Sequence, residues 1–294
     1  MIITISDESG DIGAEGSSLY LSYINCLVTD DSINSLVEIS REISRKYLTT
    51  PLRKWSQLKG SVKKDPDKLL GFSEELIKRL HDKQHHIISS LSIIDKSRFK
   101  NSYISTKQDL LNIEQIRAYK YAFSRIGPFI KKLHFSLKRY PELPKIKWII
   151  DENHGDFKKR LIVEAVPVIT NNKIELDGPY FIGKNEDPRL SKAILITDLF
   201  AGFCKISFEN HTECLLKNGG VCPCSECANP EQCTKGCKNP YRKLWDFVIN
   251  NTVRDVSILL NGQKIWDWHS LFYSPILSRK IHKNFLKEDP FIII

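Results

Sequence analysis

Two short apolar runs rich in β-branched residues each end in a pair of acids, and few arrangements constrain a fold more. Ile2-Ile3-Thr4-Ile5 leads into Asp7-Glu8-Ser9-Gly10, and Lys145-Ile146-Lys147-Trp148-Ile149-Ile150, entered from Pro144, leads into Asp151-Glu152-Asn153. β-Branched residues favour extended backbone, and Gly10, Gly13 and Gly16 follow the first run as turn formers. Two core strands with carboxylates at their carboxyl ends predict an α/β sheet with a polar site at one rim. Successive side chains on a strand point to opposite faces, so Asp7 and Glu8 share a target only if the strand ends between them. Parity puts Asp7 on the face of Ile3 and Ile5. Alternatively, the acids are turn formers that cap backbone N–H groups.

A chain of 294 residues that is 41% hydrophobic and 10% aromatic has enough apolar surface to build a full core. No apolar stretch approaches the length needed to cross a bilayer, and Asp7, Glu8 and Asp11 stand where a signal peptide needs a basic start and an apolar segment. A soluble, cytoplasmic protein without a membrane partner is expected. The formal charge of +9 favours association with polyanions, which makes nucleic acid the leading partner. Basic residues concentrate at Lys63-Lys64, Lys131-Lys132, Lys138-Arg139, Lys145 with Lys147, and Lys158-Lys159-Arg160. Each cluster also reads as a solvated surface.

Between the acid pairs the pattern predicts a second strand over 18–28 that closes a hairpin on the first, and helices over 33–47 and 66–82 with Pro66 in the first turn of the latter. It further predicts a third strand over 85–95, a long helix over 107–138 interrupted at Gly127-Pro128, and a strand over 173–182. Residues 191–204 read as a helix buried on most sides, with Asp198 its only acid. A buried carboxylate costs several kcal/mol unless compensated, so Asp198 requires a metal, a lysine or backbone donors. No internal repeat, low-complexity tract or phosphate-binding glycine loop occurs.

A hairpin, a third strand, helices, a fourth strand ending in Asp151 and a late helix with Asp198 match the order of a ribonuclease H-like fold. The motifs carry the likeness further. Ile5-Ser6-Asp7-Glu8-Ser9-Gly10-Asp11, Leu58-Lys59-Gly60-Ser61, Ile149-Ile150-Asp151 and Thr197-Asp198-Leu199-Phe200-Ala201-Gly202 resemble, in order, the motifs of the domain of unknown function 3800 family. The resemblance covers four islands between residues 2 and 204. It implies a ribonuclease H-like domain with metal-dependent nuclease activity on DNA or RNA, often associated with mobile elements or antiviral defence. Gln57 departs from the family's second motif, which commonly carries an acid two residues before the lysine.

On this reading Asp7, Asp151 and Asp198 form a Mg2+ or Mn2+ site, because converging carboxylates repel one another until a divalent cation neutralises them. Two ions about 3.5–4 Å apart serve phosphodiester hydrolysis. Asp7 would bridge them, Asp151 and Asp198 would hold one each, and Lys59 would act on the scissile phosphate. Glu8 is either a further ligand or orients the turn. The same acids would serve a strand-joining enzyme, and an inactive module that binds nucleic acid or protein would keep the same fold.

Six of eight cysteines, Cys214, Cys222, Cys224, Cys227, Cys233 and Cys237, crowd into one segment, five of them as Cys-Pro-Cys-x2-Cys-x5-Cys-x3-Cys. Such density in a cytoplasmic chain indicates structural Zn2+. Cys224 with Cys227, and Cys233 with Cys237, could close a tetrahedral site; Cys222 could replace Cys224, and His211 with Cys214 could enlarge it. An iron–sulfur cluster is the second choice. Cys26 and Cys204 read as core residues.

The expected organisation is therefore a ribonuclease H-like core over 1–205, a cysteine-rich metal-binding insertion over 206–240, and a helical and aromatic segment over 241–294 packing on the core. In that last segment, residues 241–260 read as a helix, followed by aromatic Trp266, Trp268, Phe272 and Tyr273. The apolar end Phe291-Ile292-Ile293-Ile294 could dock on the body, on a partner protein or on a second copy.

Overall fold

The structure, a computed structural model, describes residues 2–10, 20–83, 85, 87–95, 146–152, 156–170, 176–183, 186–212, 241, 243–244, 247, 257–260 and 263–267. The helix expected over 107–138 and the six clustered cysteines lie outside these residues.

β1 (Ile2–Ser9) and β2 (Tyr20–Thr29) form the expected antiparallel hairpin, and Gly10, at φ 115°, takes the left-handed backbone that turns the chain out of β1. The chain continues through α1 (Ser32–Tyr47), a 3-10 turn (Trp55–Gln57), the short α2 (Gly60–Lys63), α3 (Pro66–Asp82) and β3 (Ile88–Asp95). Then come β4 (Ile146–Asp151), α4 (Asp156–Thr170), β5 (Leu176–Ile182) and α5 (Pro188–Ser207), which runs into a π-helical turn, Phe208–Thr212. β6 (Ser257–Leu260) and β7 (Gln263–Asp267) follow. The periodicity of the sequence does not announce α4, which carries Pro167 in its interior.

The strands form one mixed sheet in the order β5-β4-β1-β2-β3-β6-β7. β1 pairs in parallel with β4, and β4 in parallel with β5, while β2 is antiparallel to both of its neighbours. The register aligns Ile5 with Ile149 and Ser6 with Ile150. The same alignment carried one residue further sets Asp7 beside Asp151, at the ends of two parallel strands.

Helices α1, α3 and α5 cover the face that carries Ile3, Ile5, Ile24, Cys26 and Ile149, and together these elements make the core. α3 begins with Asp65, whose carboxylate accepts from the Lys68 N–H at 3.2 Å, and Pro66 takes the first helical position, where no N–H is needed. Its Leu69, Phe72 and Leu76 are fully buried. α5 starts in the same way, with Asp187 accepting from the N–H groups of Arg189 and Leu190. It buries residues around much of its circumference, from Ala193 and Ile196 to Phe203 and Cys204, because it packs on the sheet and also against α1 and the 3-10 turn at Trp55–Gln57. α4 reaches the opposite sheet face, where Lys159 lies over the Phe181 ring at 5.5 Å.

The segment after residue 240 departs from expectation. Tyr241, Lys243, Leu244 and Phe247 are helical, but Ser257–Leu260 is a strand paired in parallel with β3. A short apolar run is compatible with either state, and pairing with the open edge of β3 decides for the strand. This part of the chain does more than pack on the core: it extends the sheet by two strands, and Leu244 joins the core itself.

Candidate active site

Asp7 continues the buried face of β1 and is 7% exposed; Asp151 ends β4 and is also 7% exposed. Asp198 is half-buried, in the middle of α5. The helix is held over the acid end of the sheet by a bond from the Ser22 hydroxyl to the Ala201 carbonyl, at 3.0 Å. Ser22 lies on the same face as Asp7, since β2 sets Ile24 opposite Asp7 and Ser22 opposite Ser9. Asp198, three residues before Ala201, is thus on the turn that meets this rim.

Lys54 is bonded to Asp151. Its ammonium donates to Asp151 Oδ2, and its side chain is 29% exposed. Burial works to lower its pKa, but the bond to Asp151 and the charges of Asp151, Asp7 and Asp198 outweigh that and hold the ammonium above its ordinary range.

The next residue fixes that lysine's position. The Trp55 backbone N–H donates to Asp198 Oδ2. The Trp55 indole lies on Gly202, where a Cβ would stand 2.2 Å from the ring, and it meets the Phe203 ring edge-on with centroids 5.7 Å apart. The Lys63 ammonium sits 5.3 Å from the indole centroid and donates to the Ser56 carbonyl at 3.1 Å. Glycine in a helix interior costs about 1 kcal/mol relative to alanine, and here its missing side chain makes room for the indole. Each acid thus has at least one oxygen bonded to a protein donor, with Asp7 Oδ1 accepting from the Glu8 N–H at 2.8 Å.

Other predicted residues are placed differently. β1 runs on through Ser9, so Glu8 points to the face opposite Asp7, and the structure does not bring it to Asp151 and Asp198. Lys59 stands exposed at the N-cap of α2. The lysine on the acids is Lys54, which the motif reading passed over. Its signal was a basic residue beside a tryptophan, four residues before Leu58-Lys59-Gly60-Ser61, and Gly202 inside a helix pattern signalled the close approach. Cys26 and Cys204 are buried thiols, as expected, and burial pushes the Cys26 thiol up to about 12.

Carboxylate oxygens are hard donors of the kind Mg2+ and Mn2+ take, so the chemistry of the set fits such an ion. Among the described residues no group of three or more His, Cys, Asp or Glu side chains is gathered as a metal-holding cluster, and Lys54 supplies the positive charge at the acids. Among the same residues no helix is long and apolar enough to cross a membrane. No protein-family model matches the chain, and no curated protein matches it.

Proposed function

We propose that this chain is a divalent-metal-dependent nuclease with a ribonuclease H-like fold, hydrolysing phosphodiester bonds of DNA or RNA. The observation that carries this reading is geometric: Asp7 and Asp151 stand at the ends of neighbouring parallel strands, and consecutive residues, Lys54 and Trp55, bond Asp151 and Asp198. The order β3-β2-β1-β4-β5, with acids at the ends of the parallel neighbours β1 and β4 and in the helix packed on them, supports the fold assignment. The resemblance to the domain of unknown function 3800 family, and with it a role in defence or in a mobile element, belongs to the same proposal.

In this mechanism Asp7, Asp151 and Asp198 would hold Mg2+ or Mn2+, which supplies activation of the attacking water and stabilisation of the leaving oxygen. Asp7 and Asp151 come from rigid strand ends, so their carboxylates are preorganised. The Trp55 N–H orients Asp198, and Lys54 contributes positive charge where a phosphate would arrive. On β4, the strand that ends in Asp151, Lys147 lies over the Tyr180 ring of β5 at 5.3 Å, and Tyr180 is 40% exposed, a basic and aromatic flank suited to a nucleic acid strand.

Incubation with single- and double-stranded DNA and RNA in Mg2+ or Mn2+ tests the reading. Cleavage by the wild type should fall at least ~100-fold in Asp7→Asn and in Asp198→Asn, with the fold intact by circular dichroism. The second reading, a binding module without turnover, is favoured by the bonds that already occupy Asp151 and Asp198. It predicts nucleic-acid or protein binding that survives both substitutions and chelation. For the cysteine segment we propose structural zinc; elemental analysis of protein prepared without chelators should find about one zinc per chain, and none would remove that assignment.

A further inference from the structure

We propose, on the basis of the metal-site reading above, that Lys54 is the resident counter-ion of the acid cluster and the group that a divalent cation must displace to bind there. Two observations carry this beyond an ordinary surface ion pair. The first is location. The Lys54 ammonium is bonded to Asp151, whose side chain is only 10% exposed; Asp7 ends the neighbouring parallel strand, and Asp198 is bonded by the N–H of the next residue, Trp55. Two buried carboxylates at neighbouring strand ends require positive charge, and in the folded chain Lys54 provides it.

The second is the way the lysine is held. Lys54 has extended backbone, and its carbonyl accepts from the Gln57 N–H at 3.0 Å, which closes the 3-10 turn behind it. Trp55 is fixed to α5 by its N–H bond to Asp198 and by its indole on Gly202 and Phe203. The backbone of residue 54 is therefore tied to the helix that carries one acid, while its side chain reaches the strand that carries another. A cation drawn to Asp151 and Asp198 meets this ammonium first. Its displacement requires a change in the side chain alone, because the Trp55 anchor keeps the segment at the rim.

Removing the charge should therefore strengthen cation binding. Mn2+ is titrated into the full chain, with free Mn2+ read by electron paramagnetic resonance, for the wild type, Lys54→Met, Lys54→Arg and Asp7→Asn. The Asp7→Asn titration measures Mn2+ taken up elsewhere, the cysteine segment included. Lys54→Met should bind Mn2+ about tenfold more tightly than the wild type, and Lys54→Arg, which keeps the charge, should bind no more tightly. The rise in melting temperature on adding Mn2+ should be larger for Lys54→Met than for the wild type, since its metal-free acids lack their counter-ion. If Lys54→Met does not fold, Lys54→Gln, which retains a donor toward Asp151 without the charge, carries the same expectation. Binding to the wild type with equal or weaker binding to the neutral variants overturns the role of Lys54 and leaves the metal site standing. Absence of Mn2+ binding to both overturns the metal-site reading and this inference together.

Discussion

The two faces of β1 bury polar groups in opposite ways. On one face Ser6 donates to Asn25 Oδ1 and accepts from the Trp148 indole N–H at 2.7 Å, a neutral set drawn from three adjacent strands. Ser6, Asn25 and Trp148 are each at most 2% exposed. On the other face Asp7 is buried beside Asp151, and the compensating charge comes from outside the sheet, on the segment between α1 and α2. A neutral network drawn entirely from the sheet helps to define strand register and has little reason to change. A charge compensated by a distant lysine rests on an exchangeable partner, and exchange is what a cation-binding site requires.

The sharpest way to break this contrast is to exchange roles one residue apart. Asp7→Asn should abolish cleavage with little loss of stability, whereas Ser6→Ala should keep cleavage and lose about 1–2 kcal/mol in urea denaturation through the bonds to Asn25 and Trp148. If Ser6→Ala abolished cleavage as well, the two faces would be one device.

Gly202→Ala comes next, because propensity and packing predict opposite signs for it. Helix propensity alone would stabilise the protein by up to ~1 kcal/mol, while a methyl group 2.2 Å from the Trp55 ring should cost about 1–3 kcal/mol. Net destabilisation in urea, with weakened cleavage as the Trp55 N–H leaves Asp198, is expected. A stabilised and fully active variant would mean that the indole does not hold the site together.

The smallest effect belongs to a carboxylate compensated locally. Asp65 accepts from the Lys68 N–H and pairs with its ammonium at 2.8 Å, and the Lys68 side-chain bond is the main reason its carboxyl lies below the usual range. Because the folded value is the depressed one, its stabilisation is present above the unfolded pKa, near 3.9, and is lost as pH falls through the folded value. Asp65→Ala should cost about 0.5–1 kcal/mol at pH 7, at the low end because the pair is partly solvated, and close to nothing at the acid end of a urea series.

Much of this architecture was legible locally. α3 was expected over the residues it occupies, because Pro66 and the apolar spacing from Leu69 to Leu80 are both short-range signals. The acid ends of β1 and β4 were legible for the same reason. Lys54 was not, since nothing within a few residues of it records that Asp151 lies opposite, 97 positions along the chain. Lys59, chosen by its motif, stands instead at the surface. The strand at Ser257–Leu260 escaped notice because a short apolar run takes its state from the strand it pairs with, here β3.

By itself, then, the sequence determined the hairpin, the principal helices, the two strands that end in acids and the parity that turns Asp7 inward, because strand alternation, capping and apolar spacing act over a few residues. The tertiary structure alone decided that Glu8 faces away from Asp7, that Lys54 compensates the acids, that Trp55 needs Gly202, and that the last strands extend the sheet. Each of these depends on groups far apart along the chain, whose meeting is set by strand order and helix packing.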